Sequence, residues 1–183
     1  MTEIPVRALG LQRTSRETQV RIVPSDALVV DTGLAMFDHL LATLLRYADL
    51  SVAIYARGDL KHHLIEDVGI TLGAFVAKST PAACARYAER TLAMDDALVR
   101  VVIDVSGRPY YRGVLPNALY QHFLQSFAFN AAITLHLDVL AGSDRHHIHE
   151  AAFKALGLSL KQAMVVERET FSTKGRVTWE NLL

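Results

Sequence analysis

Displacing the sequence by 84 residues, without a gap, lays Gly58 on Gly142, His62 on His146, His63 on His147, Glu66 on Glu150, Leu72 on Leu156 and Gly73 on Gly157. Glycines and polar residues held in register go beyond a shared hydrophobic pattern, so the chain reads as an internal duplication. The two pseudo-repeats cover about residues 1–83 and 84–183 of a single domain. With 183 residues, 51% of them hydrophobic, the two halves can share one core.

Within each half the periodicity changes in the same order. Polar and apolar residues alternate from Glu17 to Val23, a turn follows at Pro24-Ser25-Asp26, and Leu28 to Val30 is apolar, which predicts two paired strands. Met36, Phe37, Leu40, Leu41, Leu44 and Leu45 then recur at three- and four-residue spacing, predicting a helix from about Met36 to Tyr47. A strand from Leu50 to Tyr55, a turn at Arg57-Gly58-Asp59 and a helix from His62 to Lys78 complete the half. The second half predicts strands over Leu98 to Val105 and Tyr110 to Val114 around a turn at Ser106-Gly107. A helix from about Leu119 to Ala132, a strand from Ile133 to Leu140 and a helix from about His146 to Val165 follow. The packing this order favours is a sheet layer against a helix layer, an α+β sandwich with pseudo-twofold symmetry.

Nineteen basic and nineteen acidic residues cancel and are scattered, so no basic stripe suits a nucleic-acid backbone. Met1 to Gly10 carries Glu3 and Pro5 without an apolar run, and no stretch of about 18 apolar residues occurs, which predicts a soluble, cytoplasmic protein away from membranes. Cys84 is the only cysteine, so no internal disulfide can form; it reads as a small apolar residue.

The chemistry concentrates in the histidines, at 39, 62, 63, 122, 136, 146, 147 and 149. In each His-His-x-x-Glu the glutamate lies three and four residues from the two histidines, within reach of both on a helix. The adjacent imidazoles are themselves turned about 100° apart, so one motif addresses two metals more readily than it chelates one. A single such motif arises by chance in on the order of one chain in a hundred, but two in register with a repeat do not. His62, His63, Glu66, His146, His147 and Glu150 supply six ligands, whereas two six-coordinate ions with two open positions each need eight. His39 and His136 are the candidates for the balance, and His122 and His149 read as surface residues or supports behind the ligands. Imidazole and carboxylate without thiolate suit manganese, iron, cobalt, nickel or zinc, and octahedral geometry favours manganese. Arg86, Arg108 within Ser106-Gly107-Arg108-Pro109-Tyr110, and Lys174 within Ser172-Thr173-Lys174-Gly175 are the cations suited to a phosphate.

From Arg13 to about Gly175 these residues resemble the imidazoleglycerol-phosphate dehydratases. The family's opening Arg-x-Thr-x-Glu-Thr is similar to Arg13 to Thr18, its Phe-x-Asp-His-Met-Leu to Met36 to Leu41, and its Leu-Asp-Glu-Ala-Leu to Met94 to Leu98. Its Leu-Ser-Gly-Arg-Pro-Tyr resembles Val105 to Tyr110, its Thr-Leu-His Thr134 to His136, its Leu-Ala-Gly Leu140 to Gly142, and its Ser-x-Lys-Gly Ser172 to Gly175. The resemblance implies a duplicated fold, each half a four-stranded sheet with two helices on one face. It also implies a homo-24-mer with metals and substrate at subunit boundaries. Two manganese ions are implied, one held by His39, His63, His146 and Glu150 and the other by His62, Glu66, His136 and His147. The implied reaction eliminates water from imidazoleglycerol phosphate through a metal-bridged imidazolate to give imidazole-acetol phosphate in histidine biosynthesis. Glu17 is the implied base, and Arg86, Arg108, Ser172 and Lys174 the implied phosphate grip.

The sequence departs from the family at Leu60-Lys61, where Asp-Asp is usual, after a strand and turn about three residues shorter. It departs again at Ala42-Thr43 and at Arg46-Tyr47-Ala48, where the family has Asp-Gln and Arg-His-Gly beside the substrate. These positions motivate two rival readings: a dinuclear-metal lyase for another azole or phosphorylated polyol, and a non-catalytic assembly stapled by metal.

Overall fold

The structure, a computed structural model, describes residues 9–169 and residue 172. Its first half runs β1 (Leu11–Thr14), β2 (Thr18–Pro24), β3 (Val29–Asp31), α1 (Ala35–Ala48), β4 (Val52–Gly58) and α2 (Lys61–Ser79). Its second half repeats the order with β5 (Tyr87–Met94), β6 (Ala97–Asp104), β7 (Tyr110–Arg112), α3 (Ala118–Asn130), β8 (Thr134–Ala141) and α4 (Arg145–Ala163).

The two sheets have one topology, β1-β2-β4-β3 and β5-β6-β8-β7, with only the last pair of each parallel. This corrects the expectation that the strands on either side of Pro24 pair with each other. Val52, Ala53, Ile54 and Ala56 of β4 are all buried. That strand occupies the central position, so β2 and β3 flank it, and the helix α1 makes the crossover that parallel neighbours require. β5 has no counterpart among the sequence-based strands: Glu89 and Thr91 stand on its wet face, and Arg90 interrupts the apolar series of Ala88, Leu92 and Met94 on the other.

The helices of the two halves pack across the pseudo-symmetry, α1 on α4 and α2 on α3, while α2 and α4 also cover their own sheets. One continuous core results, from Val20 and Ile22 through Leu44, Phe75 and Phe123 to Leu156 and Leu160. Glycine sets how near the helices come. A Cβ on Gly157 would sit 2.7 Å from the Leu44 carbonyl oxygen, and one on Gly73 only 2.5 Å from that of Phe127. These two glycines coincide under the 84-residue displacement, so the repeat preserved the requirement for close backbone approach. Among the described residues no helix is long and apolar enough to cross a membrane. Cys84 is buried and its backbone bridges Val166.

Candidate metal centre

Both His-His-x-x-Glu motifs open a helix that follows the end of a sheet strand. In the second half the entry is capped: the Asp144 side chain accepts from the backbone N–H groups of His146 and His147, at 2.7 and 3.4 Å. In the first half Leu60 holds the cap position and cannot do this. Asp59 compensates in part, its Oδ1 accepting from the Leu60 N–H at 2.7 Å and facing His63 Nδ1 at 2.9 Å. The shortened approach to His62 therefore has its own carboxylate, one residue earlier than the cap.

Two compact ligand sets form within the chain, each with its donor atoms within 4.8 Å of one another: His39, His146 and Glu150, and His62, Glu66 and His122. In the first, Glu150 Oε2 lies 3.1 Å from both His39 Nε2 and His146 Nε2, and the two rings stack with centroids 5.6 Å apart. Burial alone pushes the Glu150 carboxyl up, but hydrogen bonds from Lys154, 2.8 Å away, and His39 outweigh it and the net shift is downward. The ionised form is the one a cation requires. In the second set His62 Nε2 lies 3.6 Å from Glu66 Oε2, and the His62 and His122 rings stack at 5.0 Å. Nε2 of His122 is buried without a hydrogen bond among the described residues. Glu66 Oε1 lies 3.3 Å from it, but the angles are not those of a hydrogen bond. Such a nitrogen, turned toward an imidazole and a carboxylate, fits the donor set of a divalent transition metal.

The sequence reads His122 as a surface residue or a support behind the ligands, and the resemblance implies His136 beside His62 and Glu66; within the chain it is His122 that lies beside them. His136 lies between the buried Leu135 and Leu137, so its side chain points to the opposite face of β8, away from the helices that carry His62 and Glu66. There it neighbours Val102 and Arg112 in register and lies 5.4 Å from the Tyr110 ring. The signal for His122 was present in Tyr120-Gln121-His122-Phe123-Leu124, which parallels Phe37-Asp38-His39-Leu40-Leu41. The helices α1 and α3 begin 83 residues apart, so an ungapped displacement of 84 lays His39 on Phe123 and conceals the match. Of the two readings of His149 the surface one fails: the residue is buried, with Nε2 accepting from the Asn117 N–H at 3.2 Å.

The second histidine of each motif joins neither set. His147 Nδ1 lies 2.8 Å from Asp96 Oδ1, and the hydrogen bond raises the imidazole above its ordinary value; its Nε2 lies 3.3 Å from Asp95. His63 is likewise raised, first by its hydrogen bond to Asp59, and its Nδ1 stands 3.8 Å from Glu17 Oε2. A carboxylate on Nδ1 fixes the tautomer that leaves Nε2 free to ligate.

A family model described as imidazoleglycerol-phosphate dehydratase matches residues 32–160. The chain belongs to that family. The imidazoleglycerol-phosphate dehydratase of Dictyoglomus thermophilum is 39% identical over 94% of this chain and 100% of that protein. That of Clostridium botulinum is 37% identical over 88% of this chain and 92% of its own. The crystal structure of IGPD from Pyrococcus furiosus, in complex with (S)-C348, superposes with a TM-score of 0.87 at 35% identity, covering 91% of this chain and 100% of that one. The Staphylococcus aureus imidazoleglycerol-phosphate dehydratase gives 0.74 at 27% identity, over 87% of this chain.

The dehydratase-family span contains both ligand sets together with Arg86 and Arg108, whereas Glu17 precedes it and Ser172 and Lys174 follow it. Arg86 takes a left-handed backbone, φ 70°, and its largely buried guanidinium pairs with Asp104 at 2.7 and 3.2 Å. Arg108, about two-thirds exposed, approaches the same carboxylate at 3.7 Å. The two arginines are thus gathered on one aspartate. Ser172 is exposed, and Lys174 lies outside the described residues.

Proposed function

We propose that this chain is an imidazoleglycerol-phosphate dehydratase that eliminates water from D-erythro-imidazoleglycerol phosphate to give imidazole-acetol phosphate, a manganese-dependent hydro-lyase of histidine biosynthesis. The observation that carries the reading is the duplicated ligand set, His39–His146–Glu150 and His62–Glu66–His122, in a member of this family.

Two sets of three leave two motif histidines over, His63 and His147, to complete eight ligands. We assign His63 to the ion of the first set and His147 to that of the second. Because neither is gathered into a set within its own chain, the assignment requires a neighbouring subunit to supply each. That requirement supports a homo-oligomer with sites at its boundaries, the 24-mer of the family, in which an isolated subunit is inactive. Manganese suits the mixed imidazole and carboxylate donors.

A bound pair of divalent ions would act as a Lewis acid toward the substrate imidazole, offsetting the negative charge that develops there as a carbon-bound proton departs. Glu17, with its side chain more than half exposed beside His63, is placed to accept that proton. The C3 hydroxyl leaves as water ahead of that transfer, carrying the proton given up by the imidazole, and the proton taken from the neighbouring carbon makes it good, so the elimination is proton-neutral. Arg86, Arg108, Ser172 and Lys174 hold the phosphate, Arg86 prepositioned by Asp104 and Arg108 free to swing onto the anion. The reading includes a cytoplasmic location and a small-molecule phosphate substrate, with no nucleic-acid or membrane partner.

The test is turnover of imidazoleglycerol phosphate by chelator-stripped protein before and after adding manganese. Activity that returns only with manganese supports substrate and cofactor together. Protein that binds about two ions per chain and forms no imidazole-acetol phosphate sinks the assigned reaction while keeping the metal site.

A further inference from the structure

We propose that Arg13, Thr18 and Asp67 form a brace that positions Glu17, so that Asp67 is a positioning residue for the base. The inference rests on Glu17 acting as the base.

Asp67 follows Glu66 on α2 and is only 7% exposed. Its Oδ2 accepts hydrogen bonds from both Arg13 and the Thr18 hydroxyl, and Thr18 is 4% exposed. A buried carboxylate paired in this way contributes little net stability, because the cost of removing it from water consumes most of the attraction. Among the described residues the second half carries no such cluster. Asp67 corresponds to Ala151 under the 84-residue displacement. Thr18 pairs with Gly58, and its counterpart beside Gly142 is Ala97, whose Cα would lie 3.0 Å from a Cβ on that glycine. Arg13 pairs with Val20, two residues beyond Thr18, and Leu92 pairs with Val99, two beyond Ala97. The same turn therefore closes on Leu92, Ala97 and Ala151, and the fold does not require the charges.

What differs is the residue presented by the turn. Asp96, at the place of Glu17, is fixed by its own side chain, which accepts from the Ser143 N–H and hydroxyl, the Asp144 N–H and His147. A base must keep its carboxylate available, so Glu17 can be fixed only through the main chain beneath it. Its carbonyl oxygen accepts from the Asp59 N–H at 3.0 Å, Ser15 Oγ accepts from the N–H groups of Glu17 and Thr18, and Thr18 is tied to Asp67. The brace supplies from below the restraint that Asp96 obtains from its own hydrogen bonds.

The test transfers the second-half arrangement into the first, as Arg13→Leu/Thr18→Ala/Asp67→Ala, in the manganese-loaded assembly and again on a Glu17→Gln background. The expected result is unchanged metal content and assembly, KM within about twofold, and kcat down about tenfold or more, because small displacements of a reacting group are costly. No further loss is expected on the Glu17→Gln background. Unchanged kcat, or an equal additional loss on that background, overturns the proposal. Should the triple variant not assemble, Thr18→Val and Thr18→Ser carry the comparison: serine keeps the hydroxyl and the turnover, valine loses turnover, and equal rates overturn it. If the unmodified enzyme does not dehydrate imidazoleglycerol phosphate, it is the functional reading that fails. The brace is then judged by a crystal structure of the triple variant, where retention of the 3.8 Å approach of Glu17 to His63 counts against it and displacement supports it.

Discussion

Glu17 and Asp96 stand at the same turn of the two halves, each one residue before the strand position that lies against Gly58 or Gly142, yet only Asp96 has its carboxylate taken up by hydrogen bonds. In the first half Asp59 faces the second histidine of the motif, as Asp96 does in the other, which leaves Glu17 available for a proton. On the proposed reading the duplication separates two duties, orientation of an imidazole and acceptance of a proton, that one carboxylate cannot perform together.

Glu17→Gln is accordingly expected to lower kcat roughly a hundredfold or more while metal content and assembly stay intact, the usual scale for a lost general base. Steady-state turnover with metal analysis on the same sample checks it. Unchanged turnover would favour a role in which metal only staples subunits.

His122→Ala is expected to weaken one of the two ions, lowering bound metal from about two to about one per chain, with an affinity loss of tenfold or more. His136→Ala is expected to leave both in place. Elemental analysis of the dialysed variants discriminates, and the reverse pattern would return the ligand role to His136.

In metal-free protein the Asp96–His147 pair makes stability depend on pH. The backbone N–H of Ser143, followed by His147, holds Asp96 far below its ordinary 3.8, so its contribution is present above that value and is lost as pH falls below it. Asp96 raises His147 above 6.5, so that contribution is full below 6.5 and is lost as pH rises through the folded value. The Tm difference between the metal-free parent and Asp96→Asn should therefore be largest between about pH 4.5 and about pH 6, and smaller above about pH 8, where the imidazole is neutral and only its uncharged hydrogen bond and the Ser143 and Asp144 donors remain. A difference that grows from about pH 6 to about pH 8 would contradict the pairing.

Gly157→Ala should destabilise the fold by about 1–3 kcal/mol, because its methyl would meet the Leu44 carbonyl and the Tyr47 side chain on the facing helix. Denaturant unfolding of the metal-free protein measures it. A loss well under about 0.5 kcal/mol would mean that α1 and α4 separate freely.

The two arginines should respond differently. Arg108→Ala is expected to raise KM several-fold with little change in Tm, since its side chain is mostly exposed. Arg86→Ala should raise KM and also lower Tm, because it leaves Asp104, only 19% exposed, without its principal partner. Equal effects on both quantities would contradict the division.

The duplication and the helices that carry both His-His-x-x-Glu motifs were legible from the chain alone, because each is written in local spacing. Residues three and four apart meet on any helix, and a repeated motif carries its geometry with it. Strand pairing was not local. Nothing near Pro24 states that β4 lies between β2 and β3, since that depends on which strand is apolar on both faces. Nor could spacing choose between His122 and His136. One stands on a helix facing His62 and the other on the outward face of a strand, and only the packing of α2 against α3 brings the first of them to Glu66. That placement was not legible because a cluster of ligand atoms forms by convergence from separate elements, which periodicity along one chain does not encode.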